Sequence, residues 1–174
     1  MNIMFVCTGN TCRSAMAEAL FKDLIKNEGI KDIKVFSCGI YAENGDGATY
    51  NAIRAMKNYG IDLKSHRAIN IKSSKIEDMD IILCATISHK IMVIKMYPNL
   101  KDKIFTIKEY AGLSENQDYD INDPWGYDEN IYIKCAEEIK VCLCNIIEKL
   151  KNKLHKTNIN NKGTSKQCTF KKNK

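Results

Sequence analysis

Apolar residues in this chain occur either in short continuous runs or in longer stretches with helical spacing. Four short runs are rich in β-branched residues, which is typical of buried strands. They cover Asn2–Cys7, Ile33–Cys38, Asp80–Cys84 and Ile104–Ile107. In the other stretches apolar positions recur at the period of a helix. The predicted helices cover Arg13–Glu28, Ala48–Tyr59, Ser73–Met79, Ser88–Tyr97 and a last one from Asn130 to Leu154.

The alternation of strands and helices determines the expected fold class. Strands that are apolar throughout are buried on both faces, and a helix between two strands connects them as parallel neighbours. We therefore expect an α/β fold, a single domain with helices on both faces of a parallel sheet. Ligands of such sheets bind beyond the C-terminal ends of strands, where the strand order reverses. Cys7 lies at such an end.

Charge is unevenly distributed along the 174 residues, which is a suitable length for one domain. The net charge is +6, but residues 151–174 hold eight lysines and no acidic residue. Residues 1–150 contain the other 19 of the 27 basic residues and all 21 acidic residues, so their net charge is −2. We predict a folded domain over 1–154 and a basic, disordered tail over 155–174. The tail has almost no aromatic residues, so nucleic-acid binding is not expected.

Other sequence features exclude several classes of protein. No apolar run is long enough to span a membrane. Met1-Asn2 leads straight into the first predicted strand without a basic leader, so we expect a cytoplasmic protein. We also expect a monomer. None of the eight cysteines forms a CxxC pair, so neither a zinc knuckle nor a thioredoxin-type motif is expected. We also expect no metal and no cofactor. Four of them are predicted to be buried structural thiols: Cys38, Cys84, Cys135 and Cys142.

The segment between the first strand and the first helix carries the strongest chemical signal. It reads Cys7-Thr8-Gly9-Asn10-Thr11-Cys12-Arg13-Ser14. The backbone N–H groups of such a turn converge at a helix N-terminus, where they bind a tetrahedral oxyanion and stabilise a thiolate at Cys7. Arg13 can bind two oxygens of that anion at once. The spacing of Cys7 and Arg13 is typical of a cysteine-dependent phosphatase.

A phosphatase of this kind needs an acid that protonates the leaving group, and Asp123 is the candidate. The segment Asp123-Pro124-Trp125-Gly126 precedes the last helix. Proline keeps the preceding residue extended, so Asp123 is held in one conformation. Trp125 can form a wall of the pocket. Alone, Asp-Pro is also a common turn, and it is the pairing with the Cys7 loop that favours a catalytic role.

Together these motifs resemble the low-molecular-weight protein-tyrosine phosphatase family over about residues 1–150. The similarity extends to Ser37-Cys38-Gly39, His66-Arg67 and Tyr132, whereas Ala15 stands where the family commonly has proline. It implies a four-stranded parallel sheet with the phosphate-binding loop after the first strand. We interpret His66 and Arg67 as structural residues.

The resemblance also implies a role for each residue of the site. Cys7 is the nucleophile, Arg13 binds the phosphoryl group, and Asp123 acts first as general acid and then as general base. Ser14 donates a hydrogen bond to the leaving thiolate. Asn10 holds the loop by side-chain hydrogen bonds and tolerates a left-handed conformation.

Two positions bear on the substrate. Thr11 is typical of the bacterial protein-arginine phosphatase branch of this family, whereas tyrosine-specific members carry a bulky aliphatic residue there. A threonine hydroxyl can accept a hydrogen bond from a guanidinium N–H, and the alternative is that Thr11 only packs within the loop. Trp125 followed by Gly126 also resembles the arginine branch, and Tyr127 departs from it. We expect hydrolysis of phosphoarginine in proteins, with phosphotyrosine as the alternative.

Three further features complete the expectations. The segment from Ile104 to Tyr110 resembles the arginine branch without an assigned chemical role. In this family, a loop cysteine such as Cys12 can form a reversible disulfide with the nucleophile.

Arsenate reductases share the Cys7 loop but need two relay cysteines close in sequence. Here Cys84 is the only cysteine between Cys38 and Cys135, so that activity is disfavoured.

Overall fold

The computed structural model describes residues 1–113 and 118–162, with side chains as far as residue 152. Within them, four parallel strands form one sheet in the order β2-β1-β3-β4. The strands are β1 (Asn2–Cys7), β2 (Lys34–Gly39), β3 (Ile81–Cys84) and β4 (Ile104–Thr106). The predicted α/β fold with a parallel sheet is confirmed. The chain turns to opposite sides of β1 to form β2 and β3, so the strand order reverses beside Cys7.

Five α-helices lie in the described residues. They are α1 (Arg13–Asn27), α2 (Tyr50–Lys57), α3 (Ile87–Met96), α4 (Ile107–Ala111) and α5 (Glu129–Lys162). Four of them match predicted helices, and α4 was not predicted because Ile107 was assigned to the last strand. A capping box starts α4, in which the Thr106 hydroxyl accepts from Glu109 N and the Glu109 carboxylate accepts from Thr106 N.

The predicted helix over Ser73–Met79 is wrong. The structure has two short 3-10 turns there, Ile71–Ser73 and Ile76–Asp78. The hydroxyl of Ser74 donates to Ile71 O at 2.7 Å, and this local bond competes with helix formation. Three-residue turns are enough to bury Ile71 and Ile76 under the sheet.

Both faces of the sheet are covered, as the apolar strands predicted. Ile3 and Phe5 of β1 face a core formed with α1, α2, α4 and α5. Met4 and Val6 face a second core formed with α3 and the 3-10 turns. The burial predicted for four cysteines is confirmed, since Cys38, Cys84, Cys135 and Cys142 are all buried.

The last helix continues past Leu154, where the sequence placed the end of the folded domain, as far as Lys162. The domain boundary itself stays a prediction, and residues 163–174 lie outside the described residues. Within the described part of the chain, no helix is long and apolar enough to span a membrane.

Candidate active site

The loop between β1 and α1 brings a backbone N–H and a hydroxyl to the sulfur of Cys7. The Ser14 hydroxyl lies 3.0 Å from Cys7 Sγ. The backbone N–H of Asn10 donates to the same sulfur at 3.3 Å. Cys7 is only 3% exposed, so these contacts occur largely out of solvent. The sulfur is therefore held at the end of β1 by groups that can donate to a thiolate.

Asn10 fixes the shape of the loop. Its φ of 55° is the left-handed conformation, which asparagine tolerates better than most residues. The side-chain amide donates to Ser14 Oγ at 2.9 Å and to Ser37 Oγ at 2.8 Å, and its oxygen accepts from the backbone N–H of Ile69. The backbone carbonyl accepts from His66 Nε2 at 2.6 Å. The loop is therefore tied to β2 and to the 66–69 segment, and His66 contributes as an anchor.

Gly39, at the end of β2, lets the loop pack closely against the sheet. A Cβ atom at this position would lie 2.6 Å from Thr8 O and 2.7 Å from Asn10 N. Both contacts are with backbone, which cannot move away cheaply. The family resemblance of Ser37-Cys38-Gly39 had singled out this position in the sequence. The close approach of the loop backbone, which explains why a glycine stands there, is visible only in the structure.

The N-terminus of α1 is suited to binding an anion. Cys12 is its N-cap residue, and its side chain makes no capping hydrogen bond. The first turn contains no acidic residue. The first N–H groups of a helix lack intrahelical acceptors, and the helix dipole favours negative charge beside them.

Arg13 connects this loop with Asp123. Its side chain is buried, with Nη2 donating to Asp123 Oδ2 at 2.7 Å and Nη1 to Ile121 O at 3.4 Å. Its Nε is buried without a hydrogen-bond partner among the described residues. Asp123 has a half-exposed side chain, and its Oδ1 accepts from the backbone N–H of Trp125 at 3.2 Å.

A cavity of about 330 Å³ opens between the loop and the Asp123 segment. It is lined by residues of both predicted motifs: Cys7, Thr8, Gly9, Thr11, Cys12, Arg13, Asp123 and Trp125. Two other predicted site residues, Asn10 and Ser14, are buried and do not line the cavity. The hydrogen bond between their side chains stabilises the loop from the side away from the cavity. Trp125 forms the outer wall and is 72% exposed. A thiol, a guanidinium, a carboxyl group and an aromatic ring therefore surround one space.

Sequence reasoning missed His89, which contacts the loop from α3. Its Nε2 lies 2.8 Å from Thr8 Oγ1, and its Nδ1 lies 2.6 Å from Thr86 Oγ1. Burial, together with the positive charge of Arg13, lowers the pKa of His89 to about 4. The ring is therefore neutral near pH 7 and anchors Thr8. No motif around His89 indicated this contact.

Cys12 packs between the loop and α5. Its sulfur lies 3.4 Å from Thr49 Oγ1 and 3.4 Å from the hydroxyl of Tyr132. Burial raises the pKa of Tyr132 to about 12, and the contact with Cys12 acts in the same direction. Tyr132 is therefore a neutral partner for the sulfur near pH 7.

The sequence model of the low molecular weight phosphotyrosine protein phosphatases matches residues 2–156. The chain belongs to this family. The match covers the loop, the Asp123 segment and most of α5, so the family likeness includes both halves of the site.

Named relatives in this family include enzymes with two different specificities. A protein-arginine-phosphatase of Bacillus subtilis is 37% identical over 87% of this chain and 97% of its own length. The low molecular weight protein-tyrosine-phosphatase PtpB of Staphylococcus epidermidis is 31% identical over 88% of this chain and 99% of its own length. The protein is therefore a cysteine-based phosphatase whose named relatives act on phosphoarginine or phosphotyrosine.

Solved structures agree with this assignment. One is the YwlE arginine phosphatase as a Cys-to-Ser mutant with a phosphorylated active-site serine. Its fold matches this chain with a TM-score of 0.80 at 36% identity, covering 87% of this chain and 96% of that one.

Among the residues described here, no group of side chains is arranged to bind a metal ion.

Proposed function

We propose that this phosphatase hydrolyses phosphoarginine in proteins through a cysteinyl-phosphate intermediate. The observation that carries the proposal is that Thr11 lines the same cavity as Cys7, Arg13 and Asp123. A hydroxyl at this position offers an acceptor to a substrate whose phosphorus is bonded to a guanidinium nitrogen. The 37% identity with the Bacillus subtilis protein-arginine-phosphatase supports the same substrate.

In the first step the Cys7 thiolate attacks phosphorus in line with the P–N bond. The new S–P bond forms as the P–N bond breaks, and Asp123 protonates the departing guanidinium nitrogen. The loop N–H groups and Arg13 stabilise the negative charge on the equatorial oxygens. The buried, unpartnered Nε of Arg13 is a donor suited to one of these oxygens.

In the second step water attacks the phosphorus of the intermediate, and the Asp123 carboxylate takes a proton from that water. The S–P bond breaks, and phosphate and the Cys7 thiolate are released. Ser14 Oγ lies 3.0 Å from the sulfur, so it can donate to the thiolate as negative charge develops there. Both steps balance without a metal or a redox cofactor.

Thr11 and Trp125 would select the substrate side chain. The hydroxyl of Thr11 accepts from a guanidinium N–H, whereas an aliphatic side chain would leave that donor desolvated without a partner. Trp125 is largely exposed at the cavity mouth, and its π face can stack on a guanidinium.

Phosphotyrosine is the second candidate substrate, favoured by the aromatic residues of the Asp123 segment. Tyr127 is 63% exposed and follows Trp125 in a turn in which Gly126 has a φ of 85°. Two exposed aromatic rings near one cavity can hold a phenyl ring. The relation to PtpB of Staphylococcus epidermidis agrees with this alternative.

The two candidates are separated by kcat/KM on matched peptides carrying phosphoarginine or phosphotyrosine. We expect the wild-type protein to prefer phosphoarginine and Thr11→Ile to lose or reverse that preference. Thr11→Ser is the matched control, since it keeps the hydroxyl and should keep the preference. A wild-type preference for phosphotyrosine would reject the arginine proposal while leaving the Cys7 mechanism in place.

We also propose that Cys12 protects the nucleophile from irreversible oxidation. Peroxide converts the Cys7 thiolate to a sulfenic acid, and the Cys12 thiol condenses with it, forming a disulfide and releasing water. Both cysteines line the cavity. A thiol reductant then restores the two sulfurs by disulfide exchange.

The remaining expectations concern context. Substrates would be phosphorylated proteins, and the cytoplasmic location and monomeric state stay predictions. The disfavoured arsenate reductase activity gains no support from Cys84, which is fully buried in β3. Burial raises the pKa of that thiol far above its ordinary value, so it is poorly suited to relay a disulfide.

A further inference from the structure

Lys108 of α4 is a buried charge outside the catalytic cavity. It is 7% exposed. Its Nζ lies 2.7 Å from Asp118 Oδ2 and 2.7 Å from Glu138 Oε1. Burial alone would lower the pKa of Lys108, but its hydrogen bonds to the two carboxylates outweigh that effect and raise it. A buried ammonium is tolerated only with such partners, so the three side chains form one unit.

This ion cluster is connected to the segment that carries the general acid. Asp118 belongs to the segment Asp118–Asp123 itself. Glu138 lies on α5, and its second oxygen accepts from the backbone N–H of Asn122 at 3.4 Å. Asn122 directly precedes Asp123. A single ammonium therefore acts on the start of the segment directly and near its end through Glu138.

One backbone contact and one side-chain contact tie the middle of the same segment to the end of β3 and the start of α3. The N–H of Ile121 donates to Ala85 O at 2.8 Å, and the carboxylate of Asp120 accepts from the N–H of Ile87 at 2.7 Å. Ile121 itself is buried. The path of the segment is thus determined at its start by Lys108, at its middle by the end of β3 and the start of α3, and near its end by Glu138, with Arg13 binding Asp123 itself.

Lys108 is itself held rigidly. It lies in the first turn of α4, between the two members of the Thr106–Glu109 capping box. Glu109 is further bound by Lys90 of α3, with Nζ 2.9 and 2.7 Å from its two carboxylate oxygens. Thr106, Lys108 and Glu109 belong to the segment from Ile104 to Tyr110, whose sequence had suggested no chemical role.

We propose that Lys108 is a positioning residue for the general acid. It holds the segment Asp118–Asp123 so that the Asp123 carboxyl group reaches the leaving group. A neutral side chain at position 108 leaves the carboxylates of Asp118 and Glu138 without their shared cation, and their repulsion displaces the segment. The inference rests on the proposed acid role of Asp123.

The test compares two substrates that differ in their need for an acid. p-Nitrophenyl phosphate has a weakly basic leaving group, and phenyl phosphate has a strongly basic one. The measured quantity is kcat/KM, which reports the step in which the leaving group departs. For Lys108→Met we expect a loss of about tenfold or more on phenyl phosphate and a much smaller loss on p-nitrophenyl phosphate. Lys108→Arg, which keeps the charge, should restore most of the activity.

Two further variants make the result decisive. In an Asp123→Asn background, Lys108→Met should not change the ratio of the two kcat/KM values any further, because the acid that it positions is already gone. Asp118→Asn alters an exposed member of the cluster and should fold normally. It should shift the ratio in the same direction as Lys108→Met.

Equal losses on both substrates, or a further shift of the ratio in the Asp123→Asn background, would overturn the inference and make Lys108 a purely structural residue. If Lys108→Met does not fold, an unchanged ratio in Asp118→Asn overturns it as well. Asp123→Asn alone tests the underlying proposal. If that variant shows no dependence on the leaving group, the acid role of Asp123 fails, whereas an effect there but not in the cluster variants rejects only the role of Lys108.

Discussion

Arg13 and Asp123 form an ion pair across the active site, with 2.7 Å between Nη2 and Oδ2. The arginine is buried in the first turn of α1, and the aspartate is half exposed on the segment before α5. One guanidinium therefore orients the Asp123 carboxylate, while its Nε has no hydrogen-bond partner among the described residues. In the proposed mechanism, this rigid planar group would hold Asp123 close to the phosphorus atom that the Arg13 Nε helps to bind.

Substitution of the nucleophile or of the acid should separate the two chemical roles. Cys7→Ser should abolish turnover, because a serine hydroxyl near pH 7 is not ionised and the loop contacts are arranged for a thiolate. Asp123→Asn should lower kcat/KM on a phosphopeptide by about 10²- to 10⁴-fold. Phosphate release in the presence of a metal chelator is the measurement. Substantial turnover by Cys7→Ser under those conditions would contradict the cysteinyl-phosphate mechanism.

Gly39→Ala should damage the phosphate-binding loop. The new Cβ would lie 2.6 Å from Thr8 O, so the loop must shift. We expect a loss of about 1–3 kcal/mol in the free energy of unfolding and weaker binding of vanadate. Urea unfolding and vanadate inhibition measure the two effects. Gly47→Ala is the matched control, since no atom lies within 4 Å of a Cβ there, and equal behaviour of both variants would reject this explanation.

His89 should make the stability of the protein depend on pH. Its pKa falls from 6.5 to about 4 on folding, so between these values the unfolded chain binds a proton that the folded chain does not. The free energy of unfolding therefore decreases as pH falls through this window. His89→Gln should flatten this part of the profile in urea unfolding measured from pH 7 to pH 4. Superimposable slopes for the two proteins would show that His89 is not the source.

Oxidation should distinguish Cys12 from a cysteine that only packs. Brief treatment with peroxide followed by a thiol reductant should restore most activity of the wild-type protein. In Cys12→Ala the Cys7 sulfenic acid has no resolving thiol, so it proceeds to irreversible forms and recovery is much lower. Cys38→Ala is a useful control, because that thiol is buried in the sheet. Equal recovery in all three proteins would remove the protective role.

Features that depend on residues close together in the sequence could be predicted from the sequence alone. The strands follow from continuous apolar runs, and the loop from Cys7 to Ser14 contains its own turn residues, thiol and guanidinium. The helix predicted over Ser73–Met79 was wrong because local hydrogen bonds from polar side chains such as Ser74 outweighed a short apolar pattern. Asp123 could be proposed as the acid because Asp123-Pro124 precedes the last helix and accompanies the Cys7 loop, but its ion pair with Arg13 is a tertiary contact that no local pattern indicates.

The sequence by itself determined the fold class and the position of the loop from Cys7 to Ser14, and it led to the proposal that Cys7 is the nucleophile. Only the tertiary structure decided which distant residues support them: Gly39 under the loop, His89 against Thr8, and Lys108 between Asp118 and Glu138. The contacts of Gly39 with the loop, of His89 with Thr8 and of Lys108 with Glu138 join residues far apart in the chain. The spacing of hydrophobic residues predicts which face of a helix or strand is buried. It does not predict which polar side chains of different elements come into contact when those elements pack together.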